Sequence, residues 1–128
     1  SLKNSSIGLI EKNFPTAEMT PPISDTHKGT IAYVRPPSSS VACAGVRVPI
    51  GYVVFPKFKN QCTLGYEVLS RATALTELME HTFNVELLGG HGFQRLAHAI
   101  SSAHCYAVEY PDLTSVLRWI DSVCRRQR

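Results

Sequence analysis

The stretch CYAVEYPDLTSVLRWIDSVC, residues 105–124, changes its hydrophobic period once. In its first part Tyr106, Val108 and Tyr110 recur at every second position, which puts them on one face of a strand. After Pro111 the spacing becomes helical. Leu113, Val116, Leu117, Ile120 and Cys124 form one stripe, and Asp112 stands where a helix cap belongs. Arg125, Arg126 and Arg128 follow, at the end where a helix dipole favours cations. A strand passing directly into an amphipathic helix predicts a mixed α/β chain, and the same alternation of periods runs upstream.

From Ser70 back to the amino terminus the elements are shorter. Residues 5–14 carry Ile7, Ile10 and Phe14 at helical spacing, with Ser5 or Ser6 as cap and Pro15 as stop. Residues 16–24, with Pro21 and Pro22, have neither period and are expected to form a loop. The polar run 25–29 leads into a strand over 30–35 that Pro36 and Pro37 end. Residues 38–49 are small and polar, an exposed excursion. A continuous apolar run, 50–55, predicts a buried strand closed by Pro56, and 57–63 a turn with two lysines. Leu64, Tyr66 and Val68 alternate with polar or small residues as in a half-buried strand. From Ser70, Ala72, Leu75, Met79 and Phe83 make a helical stripe, with Leu78 beside it and Glu77 and Glu80 outward. Gly89, Gly90 and Gly92 predict a helix-to-helix turn before a second stripe of Phe93, Leu96, Ala97 and Ile100.

Composition narrows the function classes. The 128 residues are 44% hydrophobic and 18% charged, a make-up that builds a packed core and one unit, 1–128. No apolar run approaches the roughly 20 residues that span a bilayer, so no membrane association is expected. The net charge of +3 owes its sign to the three arginines in the last four residues. A nearly neutral body offers no basic face for nucleic acid. The four cysteines, at 43, 62, 105 and 124, lack any C-x-x-C spacing and are expected to be free thiols of a cytoplasmic protein. His91 and His98 stand too far apart along a helix to share one zinc ion, and His104 and Cys105, as strand neighbours, point to opposite faces. The sequence contains no G-x-x-x-x-G-K-[ST], no G-x-S-x-G and no H-E-x-x-H. No catalytic residue and no metal ligand can be assigned from these residues alone.

Six short blocks carry a resemblance. Taken in order, SLKNSS (1–6), DTHKGT (25–30), RPP (35–37), VVFP (53–56), LSRA (69–72) and HTFN (81–84) resemble the bacterial HPr-kinase-related proteins, distant relatives of HPr kinase/phosphorylase. The resemblance covers nearly the whole chain to about Cys124, and the D-T-x-K-G-T block ahead of R-P-P is its most specific part. It implies part of an HPr-kinase-like nucleotide-binding fold, a mixed sheet with packed helices, and an ATP-dependent serine/protein kinase of the bacterial cytoplasm. Members of that family carry a P-loop and an acidic metal-binding segment upstream of S-L-K-N. The chain is therefore expected to be the carboxyl-terminal portion of such a kinase, inactive alone. ATP and Mg2+ are implied for the full-length protein, with no cofactor for this portion by itself. Its implied partners are the amino-terminal P-loop half and a protein or peptide substrate.

By matching position, Asp25, Thr26 and Lys28 fall near the nucleotide end of the sheet in that family. Arg71 aligns with an arginine of the Arg-Pro-Gly-Arg-Asn stretch of true HPr kinases, and Asn84 with the asparagine of their Asn-Phe-Arg. Neither Pro-Gly nor Phe-Arg is present in this chain, which leaves HPr open as the substrate. A lysine and a hydroxyl on a loop entering a strand donate to phosphate oxygens, and an aspartate holds metal-bound water. The same residues have an ordinary use, since Asp-Thr at a turn caps its own backbone. The competing reading of the whole chain is a non-catalytic α/β interaction module or homo-oligomer.

Overall fold

A computed structural model describes residues 1–82 and 85–125, with the backbone alone at 85 and 86. The protein is mixed α/β, with two three-stranded sheets and five helices among the described residues. It divides into two compact units, Ser1–Arg47 and Val48–Arg128.

The first unit is built from β1 (Leu2–Lys3), α1 (Ser5–Asn13), β2 (Ile23–Thr26), β3 (Gly29–Ala32) and the short α2 (Ser38–Ala42). Its sheet is antiparallel in the order β1-β3-β2. The core is small, centred on Ile7 of α1 and Ala32 of β3, both buried. Neither Ser5 nor Ser6 occupies the cap position of α1. Asn4 does, at φ 47°, without capping through its side chain. Ser6 instead closes a local loop, its Oγ accepting from Lys3 N at 2.9 Å and donating to Lys3 O at 2.5 Å. The loop expected over 16–24 is also corrected. Met19 bridges Val34, and Ile23 already belongs to β2, an exposed strand with no hydrophobic period, made by pairing with β3 rather than by burial. Residues 33–51 are exposed throughout, as expected of the excursion over 38–49, although five of them wind into α2.

In the second unit, β4 (Tyr52–Phe58), β5 (Gly65–Leu69) and β6 (His104–Tyr110) form a sheet in the order β4-β6-β5. β6 lies parallel to β4 and antiparallel to β5. Helices cover both faces. Cys105 and its register partners Val53 and Leu69 pack with Ala74 of α3 (Arg71–Glu80), with Ile100 and with Ala103. Val108 packs on the other face with Val116 and Trp119 of α5 (Leu113–Arg125), flanked by Val54, Leu64, Tyr106 and Tyr110. This sorting follows from the alternation along β6, which sends Cys105 one way and Tyr106, Val108 and Tyr110 the other.

Three expectations change here. Pro56 does not close β4, which continues to Phe58. Lys59 N donates to Tyr110 O and Gly51 O accepts from His104 N, so odd-numbered residues of β4 face β6 and Pro56 lies on the outer edge, where its missing N–H costs no ladder bond. The stripe of α3 is turned, with Ala74, Leu75 and Leu78 inward and Ala72 exposed; Phe83 lies outside the described residues. In α4 (Val85–Ala99) the chain breaks only at Gly89, at φ 50° and ψ −136°, and is helical again through Gly90 and Gly92.

Asp112 caps α5 as expected. Its Oδ1 accepts from Ser115 N at 2.8 Å, and Ser115 Oγ donates to Oδ2 at 3.0 Å. The Ser115 backbone N–H, and then its hydroxyl, hold the Asp112 carboxyl below its ordinary value. A folded-state pKa below the unfolded one stabilises the fold above the unfolded value of 3.8 and loses that contribution as pH falls through the folded value. Asp112→Ala should therefore lower the melting temperature at neutral pH and make progressively less difference below pH 3.8, checked by thermal melts across a pH series.

Candidate functional site

The run Asp25-Thr26-His27-Lys28-Gly29 is the tip of a β-hairpin. Thr26 pairs with Gly29 across the ladder, leaving His27 and Lys28 as the two connecting residues. Two local devices make the turn. The Thr26 hydroxyl accepts from Lys28 N at 3.2 Å and donates to Gly29 O at 2.5 Å, a side chain mimicking a backbone turn. Gly29 sits at φ 79°, which residues with a Cβ rarely adopt. The register shifts between Ile23 and Thr26, and Asp25, at φ 57°, absorbs the irregularity.

The tip is tied to the start of the chain. Asn4 N donates to Thr30 O at 2.8 Å and Asn4 Oδ1 accepts from Thr30 N at 3.0 Å, so one residue closes both halves of a bridge across 26 positions. Asn4 is held at a positive φ to do this. In the sequence Asn4 and Gly29 stand in separate blocks, and nothing local marks one as the partner of the other. The available signal was an asparagine before a helix that already had two serines to cap it.

Of the four residues singled out for binding, Asp25, Thr26 and Lys28 lie together in this hairpin, and Arg71 belongs to the second unit. Lys28 is exposed and makes no ion pair among the described residues, which leaves its ammonium open to an anion. Asp25 is exposed as well. The Thr26 hydroxyl is committed to the turn. Arg71 opens α3 behind Ser70, whose Oγ accepts from Thr73 N at 3.1 Å. Burial raises the Cys105 thiol pKa, and the positive charge of Arg71 offsets part of that rise. Asn84 lies outside the described residues. Those residues contain no group of three or more His, Cys, Asp or Glu placed to hold a metal ion. No helix among them is long and apolar enough to cross a membrane.

Compared with known proteins, the chain matches no family model, no curated protein and no solved structure.

A cavity of about 540 Å³ opens elsewhere in the first unit, between Ile10 and Phe14 of α1 and the run from Val34 to Pro37. Its mouth carries an ion pair between Arg35 and Glu18 at 2.6 Å, some 70% exposed on both partners. So open a pair contributes about 0–1 kcal/mol. Because each charge already has its opposite, the rim favours no charged ligand.

Proposed function

We propose that the chain is the carboxyl-terminal portion of an ATP-dependent serine/protein kinase of the HPr-kinase-related kind, with the hairpin at Asp25 to Gly29 facing the nucleotide phosphates in the full-length protein. The observation that carries this reading is the double hydrogen bond between Asn4 and Thr30. Two blocks of the resemblance, S-L-K-N and D-T-x-K-G-T, are joined in one local structure whose tip holds up an unpaired lysine. Phosphoryl transfer consists mostly of positioning and charge stabilisation, and an ammonium carried at the tip of the turn supplies the second. Asp25 offers a single exposed carboxylate, which suits a metal-bound water better than a direct Mg2+ site. The phosphate cradle and the metal ligands would come from the amino-terminal P-loop half.

The test places Lys28→Ala in a longer protein that carries a P-loop. Loss of one such donor should reduce kinase turnover about 30-fold to 1000-fold. Stability should move by no more than about 0.5 kcal/mol, the usual effect of an exposed substitution. An unimpaired rate would return Lys28 to the role of a solvated surface residue.

A second reading, a self-associating module, is favoured by the edge strand β5. Tyr66 is 53% exposed and Val68 68%, on a strand whose outer side has no neighbour in the sheet. An apolar, unpaired edge is a template for pairing. Sedimentation should then show association that rises with concentration and is suppressed by Val68→Lys. A strict monomer at high concentration would exclude it.

A further inference from the structure

We infer that the second unit binds a small amphiphilic monocarboxylate in a cavity between the end of α3 and the outer face of α4. The site is independent of the kinase reading, because no residue of the hairpin takes part in it. The cavity is an open groove of about 380 Å³, inside the range of roughly 300–1,000 Å³ typical of small-molecule sites. Its described walls are mostly apolar, with Met79 from α3 and Leu88, Phe93 and Leu96 from α4.

The wall on the α4 side depends on two glycines. Gly89 breaks the helix, and Gly92 lets the Leu88 side chain lie across it: a Cβ at Gly92 would stand 2.7 Å from Leu88 Cβ. Phe93 is 46% exposed and Leu88 56%, although both line a concave surface, so apolar area is left facing solvent where a ligand tail would cover it.

Among the described walls the one fixed charge is the Arg95 guanidinium. His91 and Arg95, one helical turn apart on the same side of α4, both line it. Neither has a hydrogen-bond or ion-pair partner among the described residues. No acidic residue is among the described walls. An apolar pocket bounded by an unpaired guanidinium and an imidazole complements a ligand with a hydrocarbon body and one carboxylate head. The guanidinium fork donates two parallel hydrogen bonds to a carboxylate, which an alcohol of the same chain length cannot accept.

Octanoate and octan-1-ol, titrated separately into the full 128-residue chain by calorimetry, test this. Octanoate should bind with a Kd below about 1 mM, and octan-1-ol about 10-fold or more weaker, the difference expected for a charge-assisted pair. Arg95→Gln should remove that preference by weakening octanoate alone. Because Arg95 is exposed, this variant leaves the core intact. Ala99→Leu, which narrows the cavity from within, should weaken both ligands, with its melting curve showing that the fold persists. Equal binding of the two ligands, octanoate binding indifferent to Arg95→Gln, or no binding by either would overturn the assignment.

Discussion

Trp119→Ala is expected to cost the second unit about 3–5 kcal/mol, the range for truncating a large aromatic side chain in a core. Trp119 is 8% exposed, packs with Val108 and Val116, and has the Tyr66 and Tyr106 ring centroids each 5.4 Å away, Tyr106 nearly perpendicular at 84°. A domain of this size is stable by only about 5–10 kcal/mol, so the loss would consume most of it. Trp119→Phe should be much milder. The buried indole Nε1 has no hydrogen-bond partner among the described residues, and an unsatisfied donor costs roughly 1–3 kcal/mol. Removing that donor offsets part of the lost packing. Urea denaturation of the three proteins checks the order; a Trp119→Ala midpoint near that of the parent would refute the packing described for this face.

Gly29→Ala should be the most damaging single change in the first unit. The backbone at φ 79° costs a residue with a Cβ about 1–3 kcal/mol, and the new methyl would collide with the Asn4 carboxamide. Displacing that carboxamide also leaves Thr30 N without its acceptor, about 1 kcal/mol more. Ile7 and Ala32 are the only residues of this unit that are buried, so little packing remains to absorb the loss. Amide hydrogen exchange gives the readout: Thr30 and Asn4 should exchange much faster in Gly29→Ala, and their unchanged protection would show that the bridge is dispensable. Asn4→Gly is the informative partner, since it relieves the strained φ of Asn4 while removing the same side-chain acceptor.

The strand and helix over residues 104–125 were legible because their periods are strong and a proline separates them. The rotation of α5 about its own axis was not. Leu117 and Ile120 are 38% and 36% exposed, whereas Trp119 and Val123 turn toward the sheet. A helix with apolar residues on more than one side presents several acceptable stripes, and the position of the sheet chooses among them. The same ambiguity moved α3 from Ala72 to Ala74. β2 was illegible for a different reason: its first three residues are exposed, so no burial pattern marks them, and only the ladder to β3 makes them a strand. At the candidate site, the exposure of Lys28 and the turn chemistry of Thr26 could be read locally. The bridge from Asn4 to Thr30 could not, because nothing in a short window reports a contact across 26 positions.

Pro56 makes the two margins of the second sheet unequal. On the β4 side the outward position at 56 offers no N–H, so a strand arriving there would find its hydrogen-bond ladder interrupted midway. The β5 margin has no such interruption. Growth of this sheet by strand addition is therefore one-sided: two copies joined through β5 would each present only the proline-blocked margin to a third. Pairing through β5 would therefore close as a twofold pair at this sheet instead of extending strand by strand.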